Sequence, residues 1–278
     1  MAKVKFLDDK VRKKFSEHTS AISTAFSLAL IFFEIPSQYK IISGIAFILM
    51  LILWYLALWI ASNNLKEIDL NIEGSVVTVM TGDIFKRSGF KAIAFNEYFD
   101  TQVDDKIIST RSLNGAFINQ HLQGTRQSLD EHIKTYRFEQ CEVIGEHKER
   151  NEGKKTRYEI GTVCVYGDYL LAAFSRFDDK NRAYLTMPDY LGFLIKFWDK
   201  VNKVYAQKSV SVPIFGSGIT RIKEHRSISD EDLLKIMLWT FRISEMRFKH
   251  PAKLTIVIHE DKIDQINLMD IKSARSGL

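Results

Sequence analysis

A long uncharged stretch near the amino terminus, Ile41 to Ala61, constrains the fold of this chain more than any other feature. It reads IISGIAFILMLILWYLALWIA, and as a helix rising about 1.5 Å per residue it would cross the roughly 30 Å hydrocarbon core of a bilayer. Trp54, Tyr55 and Trp59 lie toward its carboxyl end, and aromatic rings favour the headgroup region of a membrane. A buried core helix is seldom so long and so uniformly apolar. The stretch therefore predicts a membrane-spanning helix.

The apolar segment before it, Thr19 to Phe33, is shorter and carries several hydroxyl residues, so it must borrow flanking residues to span a bilayer. A cleaved signal peptide is the alternative interpretation, because basic residues precede the segment. The sequence EIPS that follows is a poor small-residue cleavage site, and another apolar run comes at once. We therefore predict a hairpin of two transmembrane helices within residues 19–62, with its turn at EIPSQYK.

Basic residues flank this hairpin on both sides, since the chain begins with a lysine-rich segment and Lys66 follows the second span. The positive-inside rule then places both termini in the cytosol, together with residues 63–278. Residues 1–18 have Val4, Leu7 and Val11 on one helical face and bases elsewhere, which predicts a helix on the cytosolic leaflet. A stripe of alanines within Thr19 to Phe33 favours close helix contact, either with the second span or with another protomer.

The rest of the chain alternates β-branched runs with helical patterns, which is typical of an α/β domain with helices on both faces of a sheet. Pro188 to Tyr205 has an apolar face and a proline at its start, and a second helix begins after Ser229 and runs to about Phe248. The predicted strands are Val76–Met80, Ala92–Phe95, Tyr136–Ile144, Tyr158–Val165, Tyr169–Phe174, Ser209–Ile214 and Leu254–Ile258.

Several classes of site are disfavoured by composition. The two cysteines form no CxxC pair and the seven histidines show no close ligand spacing, so we expect no disulfide scaffold and no metal site. The net charge is +5, but the basic stretch at 147–155 has no interleaved aromatic residues, which favours a solvated hairpin tip over a nucleic-acid site. Four acidic residues offer either an acid/base set or, as the default, a solvated loop: Glu97, Asp100, Asp104 and Asp105.

Three short glycine-containing motifs carry the functional signal. MTGDIF (80–85) follows a predicted strand, STRSLNGAFI (109–118) enters a helix, and VPIFGSGITRI (212–222) ends an apolar strand. Ligands of open α/β sheets bind beyond the carboxyl ends of the strands. Two glycines around a serine let backbone N–H groups surround a phosphate. Each motif alone is weak, but in this order they predict a site for a pyrophosphate.

The order of these motifs resembles the macro domain, an ADP-ribose-binding module, through GDI, KAIAFN, LNG and VPIFGSGI. The resemblance implies a three-layer α/β/α macro domain over residues 63–278. It implies that Asp83 holds the adenine amine beside Ile84, and that the second and third motifs wrap the diphosphate and distal ribose. The implied ligand-binding residues are Asp83, Ile84, Asn96, Leu113, Asn114, Gly115, Gly216, Ser217, Gly218, Ile219, Thr220 and Arg221.

The chain departs from the pattern of ADP-ribosyl hydrolases in this family, which carry an N-A-A-N run and a loop of consecutive glycines. Here the corresponding sequences are FNEYFDT and a loop with Gly115 alone. We therefore expect binding without turnover, with no catalytic residue and no cofactor. A membrane-anchored ADP-ribosyl hydrolase and a constitutive membrane scaffold remain the alternatives.

A closer resemblance is to the membrane-anchored macro-domain effectors of type II Thoeris anti-phage defence. It is carried over essentially the whole chain by the two-span start, FNEYFDT, SLNGAFI, GDYLLAAFSRFDDKNRAYL and VPIFGSGITRI. The resemblance implies a multi-pass protein of the bacterial inner membrane. It further implies that a TIR-domain partner makes a histidine-conjugated ADP-ribose. Binding of this signal would then drive homo-oligomer formation, disruption of membrane lipid and death of the infected cell.

Overall fold

The computed structural model describes residues 3–178, 180–218, 220–222 and 228–273, with Arg221 described by its backbone alone. The helices are α1 (Asp9–Phe32), α2 (Lys40–Asn63), α3 (Leu113–Ala116), α4 (Arg126–Thr135), α5 (Met187–Val204), α6 (Asp230–Ile243) and α7 (Leu268–Ser273). The strands are β1 (Glu67–Ile72), β2 (Ser75–Thr81), β3 (Phe90–Asn96), β4 (Val143–Glu146), β5 (Thr156–Tyr158), β6 (Val163–Tyr166), β7 (Tyr169–Phe177), β8 (Ala183–Leu185), β9 (Val210–Pro213), β10 (Arg221–Ile222) and β11 (Leu254–Ile258).

The amino-terminal part consists of two long helices that pack against each other, with aromatic contacts such as the stacked rings of Phe26 and Phe47. Within the described residues, one helical segment is long and apolar enough to cross a membrane, Ser37–Asn63, with a mean hydropathy of 2.6. This agrees with the span predicted from Ile41 to Ala61. The predicted first span lies in α1, which does not meet the same criterion, and it stays a prediction.

The predicted separate helix over residues 1–18 is corrected by the structure. Residues 3–8 are not helical, and α1 runs without a break from Asp9 to Phe32. The start is fixed by Asp8, whose side chain accepts a hydrogen bond from the backbone N–H of Lys10 at 2.9 Å and so caps the helix. The basic segment and the first apolar segment therefore form one continuous helix.

Residues 3–8, which we call the amino-terminal arm, dock on the carboxyl end of α2. Val4 is fully buried, its N–H donates to Asn63 Oδ1 at 3.1 Å, and its carbonyl accepts from Trp59 Nε1 at 3.0 Å. The hydroxyl of Tyr55 donates to the carbonyl of Phe6. These contacts satisfy the polar groups of the arm and hold it against the helix.

The same region is fastened to the rest of the chain. Lys3 Nζ donates to the Leu65 carbonyl at 2.9 Å, and burial is the main reason that the pKa of Lys3 is lowered. Lys10, in the first turn of α1, forms an ion pair with Asp270 of α7. Helix α7 in turn packs on β1. The start of α1 therefore contacts both α2 and the outer edge of the soluble domain.

The soluble domain is built on a mixed sheet with the strand order β1-β2-β11-β9-β3-β7-β8-β10, and β6 also pairs with β7. The five strands β2, β11, β9, β3 and β7 run parallel to one another, as the registers Ile256↔Val79 and Ile93↔Leu171 illustrate. Their carboxyl ends therefore meet along one edge of the sheet, which we call the carboxyl edge.

Both faces of the sheet are covered, which confirms the predicted three-layer α/β/α arrangement. Along β7, Leu170 and Ala172 belong to the larger core cluster, which contains the buried faces of α5 and α6. The alternate residues Leu171 and Ala173 belong to a second cluster with α4, through Leu129 and others. Alternate side chains of a strand point to opposite faces, so one strand contributes to both cores.

Most predicted strands are confirmed, and two are corrected. In place of a strand at 136–144, the structure has the end of α4, a short helical turn at Gln140–Glu142 and then β4. A capping box between Glu139 and Glu142 stabilises that turn, which prevents an extended conformation. The predicted strand at 158–165 is divided into β5 and β6, with Gly161 between them at φ +98°. The helix predicted to reach Phe248 ends at Ile243.

Both cysteines are free, and they differ in environment, which gives a first prediction. Cys141 is exposed, whereas Cys164 is buried and burial raises the pKa of its thiol to about 12. Because the thiolate is the reactive form, we expect iodoacetamide at pH 8 to alkylate Cys141 and spare Cys164 in the folded protein. Peptide mass spectrometry before and after denaturation measures this. Equal alkylation of both cysteines in the folded state would contradict the packing of β6.

Candidate ligand-binding site

The carboxyl edge brings together the ends of β2, β3, β9 and β11 and the motif segments that follow β2 and β9. Gly82 and Asp83 follow β2, Gly216 follows β9 after two residues, and Asn96 is the last residue of β3. β11 lies between β2 and β9, and its Ile258 carbonyl accepts a hydrogen bond from the Gly82 N–H at 3.0 Å. The first and third motifs therefore lie at the same edge, as expected from the sequence.

Asp83 begins a short helical turn at Ile84–Lys86. Its Oδ1 accepts a hydrogen bond from the Phe85 N–H at 2.9 Å, and this cap fixes the orientation of the carboxylate. Asp83 is exposed, whereas Ile84 is buried with 5% of its surface accessible. The arrangement presents a carboxylate to solvent directly beside a buried apolar residue.

A ring contact that sequence reasoning missed joins the first motif to the second. Phe85 stacks on His121 with ring centroids 3.8 Å apart and planes inclined by 11°. His121 ends the helical turn Phe117–His121 that continues α3. The sequence contains no spacing that pairs these two rings, because they lie on separate loops. The contact places the helical segment after Leu113 next to the loop that carries Asp83.

The second motif is a tight turn into α3. Ser112 Oγ accepts from the Gly115 N–H at 2.9 Å and donates to the Ser109 carbonyl at 2.7 Å. The backbone of Gly115 lies so close to Ser109 that a Cβ there would be 2.2 Å from the carbonyl oxygen. Glycine is therefore required at this position for close backbone approach. Leu113 is half-buried at the start of the helix.

Among the predicted site residues that the structure describes, only Asn114 has a buried side-chain polar atom without a hydrogen-bond partner. Its accessible surface is 7%, and its Oδ1 has no hydrogen-bond partner within the described part of the chain. A buried acceptor without a partner costs free energy, about 1–3 kcal/mol, and native proteins usually satisfy such groups. This unpaired acceptor lies in the loop that the sequence assigns to the ligand, and it is itself buried.

The third motif leaves β9 through a buried segment and then turns. Tyr190 in α5 donates its hydroxyl hydrogen to the Phe215 carbonyl at 2.9 Å, which holds the start of the loop in the core. Gly216 has φ +88°, a left-handed conformation that favours glycine. Ser217 is half-buried, and Gly218 is exposed with open space where a Cβ would lie. The loop is thus anchored at its start and open at its tip.

The remaining predicted residues of this motif are described unevenly. Ile219 lies outside the described residues. Thr220 is half-buried, and the backbone of Arg221 forms β10, where it is in register with Tyr184 of β8. Their roles in phosphate binding stay predictions.

Asn96 is placed at the carboxyl edge, but its amide is engaged within its own loop. Its Oδ1 accepts from the Tyr98 N–H at 3.0 Å, and its Nδ2 donates to Asp100 Oδ2 at 3.0 Å. Only 4% of its surface is accessible. The predicted contact between Asn96 and a ribose would therefore replace one of these bonds, and it stays a prediction.

Asp100 is a buried carboxylate, which corrects the expectation of a solvated loop. The guanidinium of Arg150 donates to both of its oxygens, at 3.2 and 2.7 Å, and the Lys154 N–H donates to Oδ1 at 2.7 Å. Arg150 also lies over the Tyr98 ring at 3.8 Å and donates to Asn181 Oδ1 at 3.1 Å. Arg150, fifty positions away in the sequence, therefore supplies two hydrogen bonds and the positive charge that stabilise this buried carboxylate.

The basic stretch at 147–155 joins the antiparallel strands β4 and β5 as a hairpin tip, as predicted, and most of its residues are exposed. Two of its side chains turn inward. The Arg150 side chain is only 6% exposed, and Lys154 Nζ donates to the Phe99 carbonyl at 2.7 Å. These two residues attach an otherwise solvated tip to the loop after β3.

Glu97 is also buried and paired. Arg157 Nε donates to one of its carboxylate oxygens at 2.7 Å, and the Phe177 N–H donates to the other at 3.0 Å. Arg176 contacts the same carboxylate at 3.5 Å, and a bond to Asp189 is the main reason that the pKa of Arg176 is raised. This glutamate holds the ends of three strands together.

Asp104 and Asp105 lie in an exposed turn, as the default interpretation expects. Backbone N–H groups of Ile107 and Thr110 donate to them and lower the pKa of each carboxyl group. The alternative acid/base set therefore does not form, since each of the four carboxylates is held by donors of its own. Within the part of the chain that the structure describes, no group of histidine, cysteine and acidic residues is arranged to bind a metal ion.

Comparison with known proteins identifies the family. The family model described as Thoeris protein ThsA, Macro domain, matches residues 77–259, a range that contains all three motifs. The chain belongs to this family. The Thoeris protein ThsA of Bacillus amyloliquefaciens (strain Y2) is 36% identical over 266 residues, which are 92% of this chain and 87% of the relative. The resemblance to a Thoeris macro-domain effector is thereby confirmed.

Two solved structures of the Oceanobacillus iheyensis macrodomain also match the chain. The one with MES bound has a TM-score of 0.49, and the one with ADP has a TM-score of 0.48. In both comparisons the identity is 14%, and the match covers 76% of this chain and 98% of the other. The family assignment depends on the sequence matches.

Proposed function

We propose that the macro domain of this chain binds an ADP-ribose-derived signal at the carboxyl edge of its sheet. The observation that carries the proposal is the convergence of three motif loops on that edge. Gly82 and Ile258 are hydrogen-bonded there, and Phe85 of the first motif stacks on His121 beside the second. Membership of the Thoeris macro-domain family supports the choice of ligand class.

Each loop has a chemistry that suits one part of the ligand. The exposed carboxylate of Asp83 is placed to accept from the adenine amine, with Ile84 against the ring. The Gly216–Gly218 segment offers backbone N–H groups to the diphosphate, and its open tip leaves room for phosphate oxygens. We assign Asn114 to a ribose hydroxyl, since its buried Oδ1 has no partner among the described residues and would gain one when the loop closes on the ligand.

We propose further that the protein is a membrane effector. In this proposal the signal is a histidine-conjugated ADP-ribose from a TIR-domain partner, and binding drives assembly in the bacterial inner membrane, loss of membrane integrity and cell death. The span at Ser37–Asn63 and its contacts with the amino-terminal arm support a membrane-anchored form. A ligand drives assembly only if it binds the assembled state more tightly than the dispersed one.

Replacing Asp83 by asparagine tests the binding site. Asparagine keeps an oxygen that caps the Phe85 N–H, but it presents an amide N–H to the adenine amine. We expect the affinity of the full-length protein for ADP-ribose to fall about tenfold or more, since hydrogen bonds to charged groups are among the stronger ones. Isothermal titration calorimetry in detergent measures the change.

The control for this variant is Asp168→Asn. Asp168 is another exposed carboxylate, but it precedes β7 and so lies at the opposite edge of the sheet. We expect its affinity for ADP-ribose to stay within about twofold of the unsubstituted protein. Equal affinity in the Asp83 and Asp168 variants would refute the assignment of the adenine amine to Asp83.

Assembly is tested by particle size in detergent with and without histidine-conjugated ADP-ribose. Growth of the particles with the conjugate, and recovery of the conjugate intact, would support an effector that binds without turnover. Release of free ADP-ribose from an ADP-ribosylated substrate would instead favour the anchored hydrolase. Particles of one size under both conditions would contradict ligand-driven assembly.

A further inference from the structure

A groove lies where the start of α1 and the amino-terminal arm meet the carboxyl end of α2. Its volume is about 570 Å³. It is lined by Leu7, Asp9, Arg12, Lys13, Phe15, Ser16 and Tyr55. None of them belongs to the carboxyl edge, so the groove is separate from the nucleotide site.

One wall of the groove is apolar and aromatic. Leu7 on the arm is 69% exposed and lines the groove. Phe15 and Tyr55 meet edge to face with centroids 5.2 Å apart, and Phe6 contacts the other side of Tyr55 at the same distance. This wall is continuous with the surface of α2, whose neighbouring residues are apolar.

The other wall carries positive charge in excess. Arg12 contacts Asp9 at 3.5 Å, but both side chains are largely exposed, so this pair is weak. Lys13 forms no ion pair with any residue that the structure describes. Lys10, by contrast, is paired with Asp270 and faces α7. The groove is therefore lined by two cations, Arg12 and Lys13, and one carboxylate, Asp9, and its net charge is positive.

The position of the groove along α2 indicates which kind of molecule it binds. Tyr55 lies in α2 between Trp54 and Trp59, the aromatic residues expected at the headgroup level. A groove at that depth, apolar toward the span and cationic toward the cytosol, matches a lipid with an anionic headgroup.

We propose that this groove binds one anionic phospholipid of the cytosolic leaflet, with its phosphate on Arg12 and Lys13 and its glycerol and upper acyl chains on Leu7 and Phe15. The proposal rests on the membrane location proposed above, but not on the nucleotide site. Arg12 and Lys13 supply the donors, and Ser16, one turn after Arg12 and Lys13, adds a hydroxyl at the groove.

The test uses the full-length protein in maltoside micelles, where the surface potential of a bilayer does not contribute. Native mass spectrometry measures retention of phosphatidylglycerol and of phosphatidylcholine by the unsubstituted protein, by Arg12→Gln/Lys13→Gln and by Lys5→Gln/Lys14→Gln. The two variants lose the same charge, but Lys5 and Lys14 do not line the groove. We expect the groove variant to bind phosphatidylglycerol at least about tenfold more weakly, because it loses charged hydrogen bonds to the phosphate, and the control to change by less than about threefold.

Three outcomes would overturn the proposal. Equal losses in the two variants would indicate diffuse charge attraction without a site. Equal retention of phosphatidylcholine and phosphatidylglycerol would exclude recognition of the anionic headgroup. Competition by glycerol phosphate as effective as by the intact lipid would identify a phosphate site without an acyl component. Titration of the groove variant with ADP-ribose separates this result from the nucleotide site, because its affinity for that ligand is expected to stay unchanged.

Discussion

Replacement of Arg150 by alanine is expected to lower the free energy of unfolding of the macro domain by about 3–5 kcal/mol. The reason is that the substitution leaves the Asp100 carboxylate 1% exposed and without its two charged donors. It also removes the cation from the Tyr98 ring and the bond to Asn181. For a domain of this size such a loss corresponds to a fall in Tm of roughly 10 °C. Thermal unfolding of the full-length protein in detergent, followed by tryptophan fluorescence, measures it.

The matched control is Arg182→Ala. Arg182 also pairs with an aspartate, Asp178, but its side chain is 73% exposed. Exposed ion pairs contribute about 0–1 kcal/mol, so the melting temperature is expected to change by no more than about 3 °C. If the two variants melted at the same temperature, Arg150 would not be buried as the structure has it.

Replacement of Gly115 by alanine is expected to abolish measurable binding of ADP-ribose. A Cβ at this position would lie 2.2 Å from the Ser109 carbonyl oxygen, and a backbone atom cannot move aside as the end of a side chain can. The turn must open to relieve the overlap, at a cost of about 1–3 kcal/mol, and this displaces Leu113 and Asn114. Calorimetric titration with ADP-ribose, alongside a melting curve, measures both effects.

Two glycine controls separate loss of binding from loss of stability. Gly89→Ala creates the same 2.2 Å overlap with a carbonyl oxygen, that of Ser209, but Gly89 precedes β3 and so lies at the opposite edge of the sheet. We expect it to lower the melting temperature and to leave the affinity for ADP-ribose within about threefold. Gly218→Ala meets open space and is expected to preserve stability. If Gly89→Ala abolished binding as Gly115→Ala does, the loss would reflect general destabilisation.

The central strands and the convergence of the motifs were predictable because they depend on local pattern and on one rule of topology. β2, β3, β7, β9 and β11 are predominantly apolar, as expected for parallel strands covered on both faces. Once these strands are parallel, their carboxyl ends share an edge, and the motifs that follow them must lie there. β1 was missed although its sequence EIDLNI alternates, and its burial alternates with it.

The parts that sequence did not predict depend on pairing between distant positions. Nothing near Asp100 indicates that an arginine fifty residues later will enclose it, since the basic stretch that contains Arg150 has the composition of a solvated loop. The same holds for the contact between Phe85 and His121, which come from two separate loops. Helix α1 differs again, because it runs without a break through a basic and an apolar segment that composition suggested were separate, and the cap by Asp8 fixes only its start.

The pairing of Lys10 with Asp270 gives the amino-terminal helices a contact with the macro domain in addition to the covalent link after Asn63. With the covalent link after Asn63 alone, the orientation of the domain relative to α1 and α2 would be unrestrained. The contact between α1 and α7 adds a second point of attachment, next to β1 at the outer side of the sheet. A displacement of α1 relative to the domain would therefore change the separation of Lys10 and Asp270, so this ion pair reports how the amino-terminal helices and the domain are oriented to each other.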